Sequence, residues 1–206
     1  MSGIGGIVTA LDLGLAEGEP VIADAVEFIR KEVRAHLGVA DDEVIINSAR
    51  TLVEKDNPPG AYLSLVNVEE ESTLRNLPHV DRRLGKSQYI EPPVFLNMYL
   101  LFAFEFLTYS TSLVHLSKTI ELFQTKRWFA PETQTGPGAI PFPASLEKLV
   151  FEMVNMNFEE LNHLWGVLGG AYFPSVVYKV RMIRVQFDDT QPAPEITTIR
   201  LDTVIP

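Results

Sequence analysis

Glu160 and His163 stand three residues apart, a spacing that sets a carboxylate and an imidazole on one face of a helix and matches one half of a di-iron carboxylate site. Such a site needs a second Glu-x-x-His and further glutamates on facing helices, and the sequence supplies no second motif. Glu160 also falls three residues after Asn157, where it completes a helix capping box. His36, His79 and His115 are scattered, with no pair at zinc-ligand spacing. Gly3-Ile4-Gly5-Gly6 is glycine-rich like a phosphate cradle, but no strand precedes it and no Gly-Lys-Ser/Thr occurs in the chain. Ser64 and Ser175 sit in strand patterns without a Gly-x-Ser-x-Gly elbow, and a nucleophilic serine needs an adjacent base and an exposed, strained turn. The enzyme reading these residues allow is a small-molecule site with Glu160 and His163 as its groups and the loop from Pro131 to Pro143 as its lid. They imply no cofactor and no metal.

Charge and composition narrow the partners. The 206 residues include 27 acids and 17 bases, a net charge of −10. A surface this acidic repels nucleic-acid phosphates and anionic lipid. There is no cysteine, which removes disulfides, thiolate metal sites and a thiol nucleophile and suits a reducing cytosol. The N-terminus lacks the basic region of a secretory signal. Arg82, Arg83 and Lys86 form the basic cluster of the chain; it is either a solvated loop or a surface that meets an acidic run such as Glu69, Glu70 and Glu71 of another copy. Tyr89, Tyr99, Tyr109, Trp128 and Trp165 could stack on bases, but stacking proteins pair aromatics with a positive groove, and these lie in mostly apolar runs.

The elements that position these residues centre on the stretch from Pro92 to Phe106, which has Glu105 as its sole charge. It is too short for a bilayer, which needs about 20 apolar residues. Its two alternating sets, Val94, Leu96, Met98, Leu100, Phe102, Phe104 and Phe95, Asn97, Tyr99, Leu101, Ala103, are both mostly apolar. That predicts a central strand covered on both faces. Before it come a helix after Pro20 ending at Gly38, short and long strands at Val44 and Ala61, and a polar stretch from Ser72 to Tyr89 read as a loop or hairpin arm. After it come a helix from Thr108 with an inward stripe of Leu113, Leu116, Ile120 and Phe123 and an outward His115, Lys118 and Glu121. Then follow the Trp128-Phe129 anchor, the loop from Pro131 to Pro143, a half-buried strand through Leu149, Phe151 and Met153, and a helix capped by Asn157 with Phe158, Leu161, Leu164, Trp165 and Leu168 on its apolar face. In the last long strand, from Ser175 to Phe187, the apolar set changes face after Met182, the mark of a bulge.

Adjacent strands without intervening helices give an α+β fold: a single mixed, mostly antiparallel sheet of about five strands with about three helices packed on it. Residues 1–18 read as a flexible arm, 19–187 as the folded domain, and 188–206 as a Pro-rich linker and tail. The tail alternates Ile196 and Thr198 against Ile199, Leu201 and Val204, a strand able to close its own sheet or to add to a neighbour's edge.

Two blocks carry a family likeness. The run from Pro92 to Ala103, then Leu146-Glu147-Lys148-Leu149 with the segments from Glu159 to Gly170 and from Pro174 to Met182, resemble the cap, or tail-terminator, proteins of phage-tail-like extracellular contractile injection systems. The likeness spans about Val21 to Val185. It implies a non-enzymatic structural protein with a tail-terminator-like fold. Such a protein forms a ring, hexameric in that family, that closes the distal end of tube and sheath and ends their polymerisation. Its partners would be copies of itself and the sheath and inner-tube proteins, with no nucleic acid and no membrane insertion. Assembly would be cytoplasmic, within a particle that is released or membrane-associated. Arg82, Arg83, Lys86, Ile196, Ile199, Leu201 and Val204 are the interface candidates.

Overall fold

The computed structural model describes residues 21–53, 57–71, 80–83, 86–90, 94–185 and 190–192. The expected arm at residues 1–18, His79, and the tail residues Ile196, Ile199, Leu201 and Val204 lie outside them.

The centre is the expected one. β5 (Val94–Glu105) lies between β2 (Gly60–Glu70) and β8 (Ser175–Val185), antiparallel to both. The main sheet has six strands in the order β1-β2-β5-β8-β7-β6, with β1 (Val44–Ile46), β6 (Trp128–Phe129) and β7 (Leu149–Met153) completing it. Only the β1–β2 pair is parallel, so the sheet is mixed and mostly antiparallel. The sixth strand is the Trp128-Phe129 anchor, too short to carry an alternation of its own. A second sheet of three strands, β3 (Val80–Arg83), β4 (Lys86–Ile90) and β9 (Thr190–Pro192), stands apart from the first. The described part of the polar stretch therefore pairs as an antiparallel arm, and Thr190–Pro192 of the Pro-rich linker pairs with it. The main sheet is the mixed, mostly antiparallel one expected, with six strands where about five were expected, and the three-stranded arm is an addition to it.

Both faces of β5 are covered. On one face Met98, Leu100, Phe102 and Phe104 pack with α1 (Val21–Leu37) and with Leu122 and Phe123 of α2 (Tyr109–Thr125). On the other, Leu101 and Ala103 pack with Ala49 and Leu52 of a 3-10 turn and with Trp165 of α3 (Phe158–Leu168). Phe102 is fully buried, with ring centroids 5.5 Å from Phe123 and 5.9 Å from Tyr178. The bulge expected in the last strand is present: Leu96 pairs with Ile183 and Met98 with Val180, so β8 uses one more residue than β5 over this step. A second irregularity lies in β2 between Leu65 and Asn67. Gly60 opens β2 because a Cβ there would come within 2.7 Å of the Glu43 carbonyl.

Of the expected stripe on α2, Leu116, Ile120 and Phe123 pack on the core, but the buried face is wider than the stripe. Ser112 and Thr119 are buried with Leu122 and Phe123, while Leu113 is 41% exposed. The buried hydroxyls are satisfied locally: Thr119 Oγ1 donates to the His115 carbonyl at 2.9 Å, and Ser112 Oγ accepts from the Phe106 N–H at 3.0 Å. His115, expected outward, lies against the Phe106 ring at 4.3 Å between centroids, and its buried Nδ1 has no hydrogen-bond partner. On α3, Phe158 is 91% exposed rather than inward; it is the first helical residue, ahead of the turns that reach the sheet.

Two measurements follow. Phe102→Ala should lower stability to urea by about 3–5 kcal/mol, and Leu101→Ala by about 2–5 kcal/mol on the opposite face. Burial, with the Lys118 charge adding to it, holds His115 below its ordinary value of 6.5. Its neutral form is thus favoured in the folded chain. Stability should be unaffected by this group at high pH and decline as pH falls through 6.5, where the unfolded chain takes up the proton first. His115→Phe should flatten that part of the stability–pH curve.

Candidate interaction surface

The residues that could have made an enzyme site are not brought together. Asn157 caps α3, its Oδ1 accepting from the N–H groups of Glu159 and Glu160 at 2.9 Å each. Glu160 Oε2 accepts in return from the Asn157 N–H at 2.9 Å, so this carboxylate is part of the cap. His163 is exposed. The loop from Pro131 to Pro143 lies on the other side of the sheet. Its Phe142 ring meets Phe28 of α1 edge-on at 5.0 Å, its Gln134 amide donates to Glu32, and the following Ser145 donates to Asp24 at 2.6 Å. The loop is stitched to α1, whereas Glu160 and His163 ride on α3, which covers the opposite face. The lid-and-site reading is therefore corrected: the sheet separates its two halves. Among the described residues, no three His, Asp or Glu side chains converge as metal ligands would.

Glu32 shows how the α1 layer is held. It is buried, with Lys126 Nζ at 3.4 Å from Oε2 and the Gln134 amide on Oε1. One carboxylate thus joins α1, the end of α2 and the start of the loop. Arg30 does similar work at the surface. It is paired to Glu27 at 2.8 Å and Asp41 at 3.1 Å, and it holds both carboxyls below their usual range.

Beyond the cover of α3, the second face of β5 turns polar. Asn97 Nδ2 donates to Glu71 at 3.0 Å, and the Tyr99 hydroxyl donates to Glu69 at 2.9 Å. Arg181 bridges Glu71 at 3.3 Å and Glu152 at 2.9 Å. The hydrogen bond to Glu152 is the main cause of a guanidinium pKa raised above its ordinary value. Glu69 and Glu71, expected to receive the basic cluster of another copy, thus already have partners within the chain. Arg82 and Arg83 lie on β3 and Lys86 on β4, where Arg83 pairs with Lys86 and Arg82 with Ser87. The hairpin brings the three to one end of the arm.

What the fold leaves available is a sheet edge and an apolar groove. β1 pairs with β2 only through Ala61, Tyr62 and Leu63. Beside β2 from Leu63 to Val66 lies an open groove of about 440 Å³, with Ile46, Leu65, Val66, Leu164, Val167 and Leu168 among its walls. Leu65 is 44% and Val167 84% exposed. Leu107, between β5 and α2, and Tyr109, the first residue of α2, form a second exposed apolar set. Sequence reasoning missed the groove because it joins residues on β1, β2 and α3 that share no local pattern.

This fold is similar to that of two solved structures. Over 90% of its length the chain is similar to a solved structure described as an extracellular contractile injection system PVC sheath/tube terminator in the extended state, with a TM-score of 0.62 and 16% identity. It is also similar over 89% of its length to the anti-feeding prophage cap, a tube terminating cap, with a TM-score of 0.58 and 15% identity. The chain spans 64% and 61% of the lengths of these two proteins, less than two thirds of each. No curated protein matches the sequence. Residues 24–198 match the Pvc16 N-terminal domain, and the chain belongs to that family.

If Glu160 serves the helix cap and His163 serves no site, their neighbours set the sensitivities. Asn157→Ala should lower stability by about 1 kcal/mol. His163→Ala should change it by less than about 0.5 kcal/mol in the same urea titration.

Proposed function

We propose that this chain is a structural cap of a contractile injection system, which closes the distal end of the tube and sheath and ends their growth. The observation that supports it is the fold: nine-tenths of the chain follows a protein described as a sheath/tube terminator, and the family match covers residues 24–198. The separation of Glu160 and His163 from the loop favours this reading over an enzyme. Among the described residues, no helix is long and apolar enough to cross a membrane.

The working form is a ring, hexameric as the family resemblance implies, built by head-to-tail contacts that close on themselves. Its partners are further copies of the chain and the sheath and inner-tube proteins of the same particle, and assembly takes place in the cytoplasm. The arm residues Arg82, Arg83 and Lys86 and the tail residues Ile196, Ile199, Leu201 and Val204 contribute to the contacts between subunits. The domain consists of residues 19–187, with 1–18 as an arm and 188–206 as the linker and tail that reach outward.

Particles assembled without this chain, viewed by electron microscopy, should show uneven lengths or frayed distal ends. Intact particles of normal length would overturn the capping role. Native mass spectrometry of the full chain should give a closed hexamer, and a monomer across the micromolar range would overturn the ring.

A further inference from the structure

The edge of β2 is half finished. The strand pairs with β5 from Gly60 to Glu70 but with β1 only as far as Leu63. The Asn47 N–H then bonds the Leu63 carbonyl at 3.1 Å, and the Asn47 carbonyl accepts from Ser64 Oγ. Among the described residues, no strand lies beside β2 past this point. The Leu63 carbonyl faces β1, so Leu65, two residues on, turns its backbone groups to the same side. The irregularity between Leu65 and Asn67 then resets the alternation. Glu71 donates its N–H to the Phe95 carbonyl at 2.8 Å, so Glu69 and Asn67 face β5 while Val68 faces outward. Leu65 and Val68 are 44% and 38% exposed. The groove along this edge continues the line of β1 and is apolar on the α3 side. An exposed apolar edge of this kind is a template for another strand.

The direction of β9 points to the occupant. β4 leads into β5, so it runs toward the main sheet; β9 is antiparallel to it, with Thr190 opposite Ile90 and Pro192 opposite Gln88. β9 therefore carries the chain out along the arm, away from its own main sheet. The residues that follow include the alternating segment from Ile196 to Ile205. We propose that the β2 edge of one copy, from Leu65 to Val68, receives the segment from Ile196 to Ile205 of a second copy as an added strand, with the groove beside Leu65 and Val66 taking apolar side chains at one end. This rests on the ring reading above and gives that ring its contact: each copy donates one strand and accepts one, a heterologous joint that closes.

The chain has no cysteine, so engineered thiols report cleanly. Full-length chain carrying Val68→Cys is assembled with differently tagged chain carrying a single replacement among Ile196→Cys, Thr198→Cys, Ile199→Cys, Leu201→Cys and Val204→Cys, then oxidised. The expected result is a disulfide between the two tags from alternate tail positions. That disulfide should be lost when the Val68→Cys chain also carries Leu65→Pro. Proline at an outward-facing edge position leaves the pairing with β5 intact but blocks an incoming strand, and circular dichroism should show that variant folded. In a parallel chain carrying both Val68→Cys and one of these tail cysteines, a disulfide that forms within the chain while none joins the two tags overturns the exchange between copies. Closed rings in native mass spectrometry that give no disulfide overturn this docking site and leave the ring standing. Monomers that give no disulfide overturn both.

Discussion

A strand that is apolar on both faces has to be covered on both, and the rest of this structure follows from that constraint on β5. Phe102 and Leu101 are adjacent in sequence and both fully buried, in separate clusters on opposite sides of one sheet. The chain meets the demand by placing α1 and α2 on one face and α3 with the Ala49–Val53 turn on the other. Neither layer would hold alone, because each lacks an apolar surface to bury without the sheet. Where α3 ends its cover, the composition of β5 changes accordingly. Asn97 and Tyr99, on the face of Leu101, feed a network of Glu69, Glu71, Arg181 and Glu152 instead of a hydrophobic layer. The strand is thus apolar where it is roofed and hydrogen-bonded where it is not.

The elements legible in the sequence were those fixed by local pattern. The central strand showed in its doubled alternation, the Asn157 cap in its partner at Glu160, and the β8 bulge in an apolar set that changes face. Features that depend on distant partners were not legible. Thr190–Pro192 lies in a Pro-rich stretch and is a strand only because β4 is beside it. Trp128-Phe129 is a strand only because it pairs with Leu149 and Val150. The face of α2 was read only in part, because hydrophobicity alone placed it: Leu116, Ile120 and Phe123 do pack on the core, but Thr119 is buried as well, since its hydroxyl returns a hydrogen bond to its own helix.

The candidate site divides in the same way. The sequence pointed to a strand-capable tail and a basic arm, and the backbone places Arg82, Arg83 and Lys86 on one hairpin. It did not show a receiving edge, because an edge is a property of what is missing beside a strand. Nor did it show that Glu69 and Glu71, which look like a free acidic run in sequence, are engaged by Tyr99, Asn97 and Arg181. Charge runs read from sequence overstate what a folded surface has to offer.

The two borders of the main sheet are finished differently, and that difference bears on how copies can meet. At one border, β6 is short. Phe129 is buried against Phe28 and Phe151, and Lys148 lies over the Trp128 ring at 4.6 Å. That border is closed by aromatic packing and a cation, a common defence against edge-to-edge pairing. At the other border, β1 stops after Ile46, and β2 continues past it with an apolar groove beside Leu65 and Val66. If both borders were open, copies could stack sheet to sheet without limit; with one closed, strand pairing is available at one border. A contact made there by a segment from elsewhere on the chain joins unlike surfaces. Such contacts generate either an open helix or a closed ring, according to whether the rotation between neighbours divides a full turn. A protein that ends a polymer needs the closed outcome. In a strand exchange between copies, the direction in which β9 carries the chain out along β4 would set that rotation.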